Sequence, residues 1–244
     1  MSNKGNLRFG DFNSLHDYGL LITDWEIGMP ELKTVYVDIP YRSGSFDFTD
    51  IYGSSAYTDR VIKVTFQIDK LAHLHMSEIY GVYDSVVSEI LGAGIKELEL
   101  DFVEGIFTGR CTKVSPVSVF DLTGSIEVEW TCNPFRVSKE YIGCTDIWNE
   151  FYPFSLHVFS DCEHENFTGT ADIRLWNNSA IDVTPVIIVE KAPFTITQNG
   201  VSHTFTIGTH EIHGITLKPS RWNEMQIQCN GVGNLFFKWK RVYI

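Results

Sequence analysis

Histidine pairs are the residues of this sequence whose spacing comes nearest to a metal site. His73 and His75 are two residues apart, and on a helix that spacing directs their side chains to different sides. His210 and His213 could share a face only on a helix, whereas the residues around them have the pattern of a strand. The sequence therefore predicts no metal site and no cofactor.

A dense polar cluster occupies residues 161–165, with the sequence Asp-Cys-Glu-His-Glu. It lacks the spaced oxygen ligands and the fixed glycine of a calcium-binding loop. We therefore expect a solvated loop rather than a cation site.

Carboxylates alternate with apolar residues in two predicted strands. Glu97, Glu99 and Asp101 belong to the first strand, and Glu127 and Glu129 belong to the second. Paired carboxylates serve glycosidases, but those acids sit singly in pockets. Two interpretations stay open: a solvated sheet face, or an acidic wall that faces a channel.

Signatures of nucleophilic catalysis and of nucleotide binding are missing from the sequence. There is no G-x-S-x-G elbow, no G-x-G-x-x-G and no Walker loop. The five cysteines are an odd number without C-x-x-C spacing, and Cys132 and Cys229 are in phase with apolar strand residues. We predict buried free thiols, no catalytic residues and no enzymatic activity; a wall-degrading hydrolase would need a pocket with perturbed carboxylates.

The charge balance argues against partners that carry phosphate. The 244 residues have a formal net charge of -12, and residues 1–138 hold 11 basic and 20 acidic side chains. An acidic surface does not bind a phosphate backbone, so we expect no sequence-specific nucleic-acid binding. The N-terminus has no signal-peptide core and no apolar run has membrane length. We expect synthesis in the cytoplasm, without export through a standard signal or membrane insertion.

The stretch from Glu26 to Asp50 organises the predicted first domain. Val35, Val37 and Ile39 alternate with polar residues, which predicts a strand with one face buried. A turn at residues 40–44 follows, and Phe46 and Phe48 resume the alternation.

The rest of residues 1–138 has strand patterns interrupted by one helix. Apolar residues three to four apart predict an amphipathic helix over about 72–91 that ends at Gly92-Ala93-Gly94. Residues 1–18 read as a loose arm. The spacing predicts a β-sandwich with one packed α-helix for residues 1–138.

From Gly169 onward the pattern is β only. Residues 139–170 are irregular, which makes them a predicted junction, and short alternating segments then follow. Turns are expected at 198–200 and 230–233. We predict a mainly β protein whose residues 139–244 form a second β-sandwich.

Three tryptophans of the second half could stack on sugar rings if one exposed face carries them. They are Trp148, Trp176 and Trp222. Tryptophans in a sandwich more often belong to the core or to an interface, so both interpretations stay open.

The spaced residues of the first half resemble the N-terminal domain of siphophage distal tail proteins, the Dit family. The resemblance covers about residues 19–138 and rests on Gly28, Pro30, Lys33, Thr34, Tyr36, Val37, Asp38, Ile39, Pro40, Arg42, Gly44, Ser45, Asp47 and Thr49, then Gly109-Arg110, Cys132, Pro134 and Phe135. The second half resembles the family's C-terminal galectin-like or carbohydrate-module-like sandwich by pattern, through Trp176-Asn177-Asn178, Thr184-Pro185 and the closing strands.

The resemblance implies a non-enzymatic hub in the virion, at the distal end of a long phage tail. It implies a homohexameric ring that stacks on the tail tube protein, joins a tail-associated protein and receptor-binding or baseplate proteins, and lets DNA pass. We expect ring contacts at Pro40, Arg42, Gly44, Phe46 and Phe48, so Arg42→Glu should weaken oligomerisation. The alternative is an adhesin that binds host cell-surface glycans through residues 139–244.

Overall fold

The computed structural model describes residues 5–41, 43–49, 51, 56–68, 76–116, 125–143, 161–211 and 214–244. The chain divides into two compact units, Met1–Arg136 together with Ile244, and Val137–Tyr243. We call them the N-terminal unit and the C-terminal unit. The predicted mainly β fold is confirmed, because strands dominate both units.

The N-terminal unit is built on an antiparallel sheet. Its elements are β1 (Leu7–Phe9), β2 (Phe12–Asn13), α1 (Ser14–Tyr18), β3 (Leu20–Ile27), β4 (Tyr36–Asp38), β5 (Ser45–Asp47), β6 (Arg60–Ile68), α2 (Met76–Gly92), β7 (Ile95–Leu100), β8 (Ile106–Val114) and β9 (Ser125–Cys132). The sheet order is β3-β6-β9-β8-β7-β1-β2. Strands β4 and β5 form a separate two-stranded sheet.

Period-two alternation in β6 and β9 produces the core of the N-terminal unit. Ile62 lies opposite Trp130, and Phe66 lies opposite Ile126. All four side chains are fully buried. Burying each of them stabilises the fold by about 1.5–3 kcal/mol, so this pair of strands is a main source of stability.

Helix α2 covers this core with one apolar side. Ile79, Val86 and Ile90 are buried in the same cluster as the sheet residues. The helix runs to Gly92, as predicted, and Gly94 follows with a φ of 73°; residues 72–75 of the predicted helix lie outside the described residues. No helix in the described parts of the chain is long and apolar enough to cross a membrane.

The expectation of a loose arm at residues 1–18 is wrong from residue 5 onward, and a second helix is present. Strand β1 extends the sheet by pairing with β7, and it buries Leu7 and Phe9. The Asn13 side chain accepts a hydrogen bond from the His16 amide (3.0 Å), and Gly19 ends α1 at a φ of 62°. A three-residue strand and a one-turn helix are too short to show a period in the sequence.

The C-terminal unit is formed from strands throughout its described residues. They are β10 (Arg136–Gly143), which begins at the boundary between the units, β11 (Glu163–Asn177), β12 (Val186–Glu190), β13 (Phe194–Gln198), β14 (Val201–Phe205), β15 (Gly208–His210) and β16 (Arg221–Tyr243). Strand β11 pairs with both halves of β16, whereas β13 pairs with its first half and β12 with its second half. One long strand thus serves two groups of strands around a single core.

The turn predicted at residues 230–233 is wrong, because β16 continues through it. At Gly233 an added Cβ would lie 2.6 Å from the Phe194 ring and 3.2 Å from the Cys229 sulfur. This glycine therefore permits close packing inside a strand rather than reversing the chain.

The irregular stretch predicted at 139–170 is wrong where the structure describes it, since β10 reaches Gly143 and β11 begins at Glu163. Register shifts between His164 and Phe167, and again between Phe167 and Gly169, interrupt the alternation of β11. The bulges explain why the sequence pattern did not indicate a strand.

Gly109 gives a test of sheet packing. A Cβ at this position would lie 2.5 Å from the Cys132 sulfur and 2.5 Å from the Thr131 carbonyl oxygen. We expect Gly109→Ala to lower the free energy of unfolding by about 1–3 kcal/mol, because backbone atoms must move. Urea unfolding followed by tryptophan fluorescence measures the change.

The matched control is Gly81→Ala in α2, where no atom lies within 4 Å of the added Cβ. That substitution should raise stability by about 0.5–1 kcal/mol, through helix propensity. Equal effects of the two substitutions would contradict the packing assigned to Gly109.

Candidate functional site

The hairpin of β4 and β5 lies between β3 and β6 in the chain. A short pair of antiparallel segments joins it to these strands. We call the described residues between Leu32 and Tyr57 the arm. Leu32 bridges Tyr57, and the Lys33 amide donates to the Ala56 carbonyl at 2.8 Å. Next to the main sheet, the Gly28 amide after β3 donates to the Val61 carbonyl of β6 at 2.8 Å.

The register of the arm sorts its side chains onto two sides. Val37 lies opposite Phe46, and the Phe48 amide donates to the Val35 carbonyl at 2.8 Å. These four residues therefore share one side with Ile39, and we call this side the apolar stripe. Thr34, Tyr36 and Asp38 alternate onto the other side.

The predicted alternation of this stretch is correct, and its predicted burial is wrong. The exposed fractions are 51% for Val35, 44% for Val37, 43% for Ile39 and 36% for Phe48. Only Phe46 is half-buried. Alternation determines which side chains share a side, but it does not provide a layer that covers them.

The predicted interface residues lie along the arm and its turn. Pro40 and Gly44 are exposed, and Arg42 lies outside the described residues. Tyr41 and Gly44 have φ values of 67° and 83°, and Tyr41 projects fully into solvent. The turn therefore presents backbone and an aromatic ring rather than a pocket.

A polar contact holds the strand end of the arm on the side opposite the stripe. The Thr49 amide donates to an Asp47 carboxylate oxygen at 2.9 Å. Hydrogen bonds from the Thr49 side chain and from its amide lower the pKa of Asp47 below its usual value. The carboxylate is therefore charged at neutral pH and keeps this side of the arm hydrated.

Four of the acidic residues of the two predicted strands lie on the outward face of the main sheet, whereas Asp101 lies in the turn after β7. Glu97 and Glu127 are exposed, whereas Glu99 and Glu129 are half-buried. Lys63 lies opposite both Glu129 and Glu26, and its Nζ is 3.0 Å from Glu26. The hydrogen bond to Glu26 raises the pKa of Lys63. The face is thus predominantly acidic, with interspersed bases, and β8 separates the two acidic strands.

The structure brings two of the three predicted sugar-stacking tryptophans together in the C-terminal unit. Trp176 and Trp222 are paired in register on β11 and β16, with ring centroids 5.4 Å apart. The Arg174 guanidinium lies 5.1 Å from the centroid of the Trp222 ring. Both rings are half-buried; Trp148 lies outside the described residues.

Polar residues on the same face were missed by the sequence analysis. Glu224, Gln226 and Gln228 alternate with the core residues of β16, and Asp172 alternates with those of β11. The alternation that identifies Met225, Ile227 and Cys229 as core also identifies these partners as one face. That signal was present in the sequence.

The remaining polar clusters have structural roles. Asp161 accepts a hydrogen bond from the Arg174 amide at 2.9 Å, and a His164 ring nitrogen lies 3.0 Å from the Asp161 carbonyl oxygen. Burial lowers the pKa of His164. His210 contacts the Thr206 carbonyl, whereas His73, His75 and His213 lie outside the described residues. Among the described residues, no group of three His, Cys, Asp or Glu could hold a metal ion.

The cysteines that the structure describes are buried free thiols, as predicted for Cys132 and Cys229. The others are Cys111 and Cys162, and Cys144 lies outside the described residues. Burial raises the pKa of Cys132 to about 12 and that of Cys111 to about 11. These thiols therefore pack the cores and are poor nucleophiles.

Comparison with known proteins identifies this architecture. No family model and no curated protein sequence matches the chain. The crystal structure of SPP1 Dit, described as a paradigm of the hub adsorption apparatus in phages that infect Gram-positive bacteria, superposes with a TM-score of 0.62 at 10% identity, covering 97% of this chain and 98% of that one. The chain has the Dit fold.

Two further solved structures match over nearly the full length. They are the activated baseplate of phage P2 with Ca (TM-score 0.42, 10% identity, 98% of each chain) and with Sr (TM-score 0.40, 8% identity, 97% of each chain). The likeness to SPP1 Dit confirms, at the level of the fold, the resemblance seen in the sequence.

The raised thiol pKa values give a testable outcome. In a Cys144→Ser background at pH 8, a pKa of about 12 leaves about one Cys132 in ten thousand as thiolate. A pKa of about 11 leaves about one Cys111 in a thousand. Because the raised pKa keeps the thiol protonated until the pH approaches it, we expect little maleimide labelling of either residue within an hour.

Mass spectrometry of peptides from the labelled protein gives the measurement, and the same protein in urea is the control that should label at every cysteine. Labelling of native Cys111 or Cys132 within minutes would contradict the burial described.

Proposed function

We propose that this chain is a structural hub at the distal end of a long non-contractile phage tail. The proposal rests on the Dit fold over 97% of the chain, together with the spaced residues of the first half that resemble the Dit family. The role is mechanical and needs no catalytic group.

The apolar stripe of the arm is the observation that favours self-assembly. A two-stranded hairpin is at best marginally stable in water, and this one exposes Val35, Val37, Ile39 and Phe48. Exposed apolar groups of this extent mark interaction surfaces. A neighbouring copy of the chain would cover the stripe and complete the layer that the sequence pattern requires.

The proposed assembly is a closed ring, of six copies as in the family that the sequence resembles. In a ring each arm contacts the next subunit by a head-to-tail interface, which closes without leaving an exposed stripe. The N-terminal unit would form the ring and stack on the tail tube protein. The C-terminal unit would hold a tail-associated protein and baseplate or receptor-binding proteins.

The charge of the N-terminal unit suits a ring through which DNA passes. Its outward sheet face carries Glu97, Glu127 and Glu129 among fewer bases, and residues 1–138 have 20 acidic against 11 basic side chains. An acidic lining repels the phosphate backbone, so DNA would slide rather than bind. The proposed location is the virion tail tip, and the proposed site of synthesis is the cytoplasm of the bacterial host.

Substitution within the stripe tests the arm. We expect Val37→Asp to shift the protein from ring to monomer, because burying an unpaired carboxylate costs about 2 kcal/mol or more at each interface. Native mass spectrometry and sedimentation velocity measure the change in assembly mass.

Thr34→Asp is the matched control, since it places the same charge on the same strand segment but on the opposite side of the arm. It should leave the mass unchanged or alter it much less. A wild-type chain that stays monomeric at high concentration would refute self-assembly, and equal loss from both variants would refute the assignment to the stripe. The Arg42→Glu prediction stands beside this test, with the same readout.

A further inference from the structure

One cation of the N-terminal unit is buried in phase with the hydrophobic core. Arg60 begins β6 and alternates with Ile62 and Val64, which are fully buried. Only 2% of the Arg60 surface is exposed. Arginine is almost never buried to this extent unless another group pairs with its charge. The groups around Arg60 therefore decide whether that charge is compensated.

Two motifs of the sequence, Gly109-Arg110 and the segment that begins at Cys132, meet at Arg60. Cys132 lies opposite Arg60 on β9, and Gly109 lies opposite Cys132 on β8. The Pro134 carbonyl oxygen accepts a hydrogen bond of 2.7 Å from Nη2 of Arg60. The guanidinium carbon lies 5.3 Å from the centroid of the Phe107 ring. We call Arg60 and the four residues around it, Phe107, Gly109, Cys132 and Pro134, the arginine socket.

The arginine socket supplies no negative charge to its cation. Within the described ranges of the chain, no acidic side chain forms an ion pair with Arg60. Its Nε is buried and has no acceptor among those residues. Burial, together with the positive charge of Arg136, lowers the pKa of Arg60. One carbonyl and one aromatic ring therefore compensate the buried charge only in part.

The unpaired edge of the Arg60 guanidinium matches one class of ligand. Its N–H groups form a planar fork, and a fork of this kind pairs with the two oxygens of a carboxylate. Nη2 has a second N–H beside the one that Pro134 accepts, and the Nε–H next to it is unpaired. Arg136 adds a second positive charge nearby, so cations are repelled and an anion is attracted.

We propose that the arginine socket binds a carboxylate. The bound group would neutralise the buried charge and satisfy Nε. It would lie at the base of the arm, because Tyr57, three residues before Arg60, bridges Leu32 and contacts the Phe135 ring with centroids 5.4 Å apart. The carboxylate comes either from a small anion in solution or from an Asp or Glu side chain of a second copy of the chain.

Thermal unfolding of the full chain tests the arginine socket, with acetate as the probe and chloride as the reference at equal pH and ionic strength. A ligand that binds only the folded protein stabilises it in proportion to the logarithm of its saturation. With acetate at ten times its Kd, we expect the midpoint to exceed that in chloride by about 3–6 °C. A structural arginine, already satisfied by its ring and carbonyl contacts, predicts no difference that depends on Arg60.

A variant of the cation assigns the effect to the arginine socket. Arg60→Met keeps an unbranched apolar side chain at the position and should lose the difference between acetate and chloride. Arg110→Met is the matched control, because it removes the same charge from an exposed position on β8. This control keeps the difference and also measures any general effect of acetate on protein surfaces. If Arg60→Met fails to fold by circular dichroism, Arg60→Gln replaces it.

Protein concentration separates the two sources of the carboxylate. Native mass spectrometry first identifies concentrations at which the chain is monomeric and, where it assembles, those at which it is assembled. A difference at both concentrations indicates a free anion, whereas a difference in the monomer alone indicates a side chain of a second copy. The monomer measurement needs no ring, so the proposal and the proposed function can fail separately.

The proposal is overturned if the wild-type monomer has the same midpoint in acetate and in chloride. It is also overturned if the Arg60 variant keeps the full difference that Arg110→Met shows, because the anion then binds elsewhere.

Discussion

A two-stranded hairpin cannot cover its own apolar side, and that constraint dominates this structure. Val35, Val37 and Phe48 have the alternation of a buried strand but lie exposed on an arm outside the main sheet. In a single polypeptide this arrangement leaves the apolar side chains in water, so the favourable free energy of burying them is not gained. It becomes favourable once a second copy supplies the missing layer, so an apparent defect of the monomer is the strongest physical reason for assembly.

The two units cover the apolar faces of their sheets in different ways. In the N-terminal unit, helix α2 covers the sheet around Trp130 with Val86 and Ile90. In the C-terminal unit, the long strand β16 pairs with β11, β13 and β12 around a core that includes Phe237, and Gly233 permits close packing against Phe194. Because both cores are closed internally, the outward faces of both units are left to polar side chains such as Glu127 and Gln226.

Surface chemistry differs between these faces. The outward face of the N-terminal sheet is acidic with interspersed bases such as Lys63, which suits repulsion of a passing polyanion. The outward face of β11, β16 and β13 carries neutral hydrogen-bonding groups such as Gln226 and Thr197, and it continues to the Trp176–Trp222 pair. Neither face depends on a reactive group for the proposed hub role.

The sequence alone determined what period-two alternation and helix spacing encode: the strands β6 and β9, the apolar side of α2, the core positions of β16, and the buried state of Cys132 and Cys229. It also carried the Dit resemblance, through residues spaced along one stretch. The sequence did not indicate short or bulged elements such as β1, α1 and the start of β11, because a three-residue strand or a register shift shows no periodic pattern. Only the tertiary structure decided which alternating sides are covered, since coverage depends on residues distant in sequence. The tertiary structure leaves the apolar stripe of the arm in solvent. It also places Arg174, Trp176 and Trp222 on one face with Gln226.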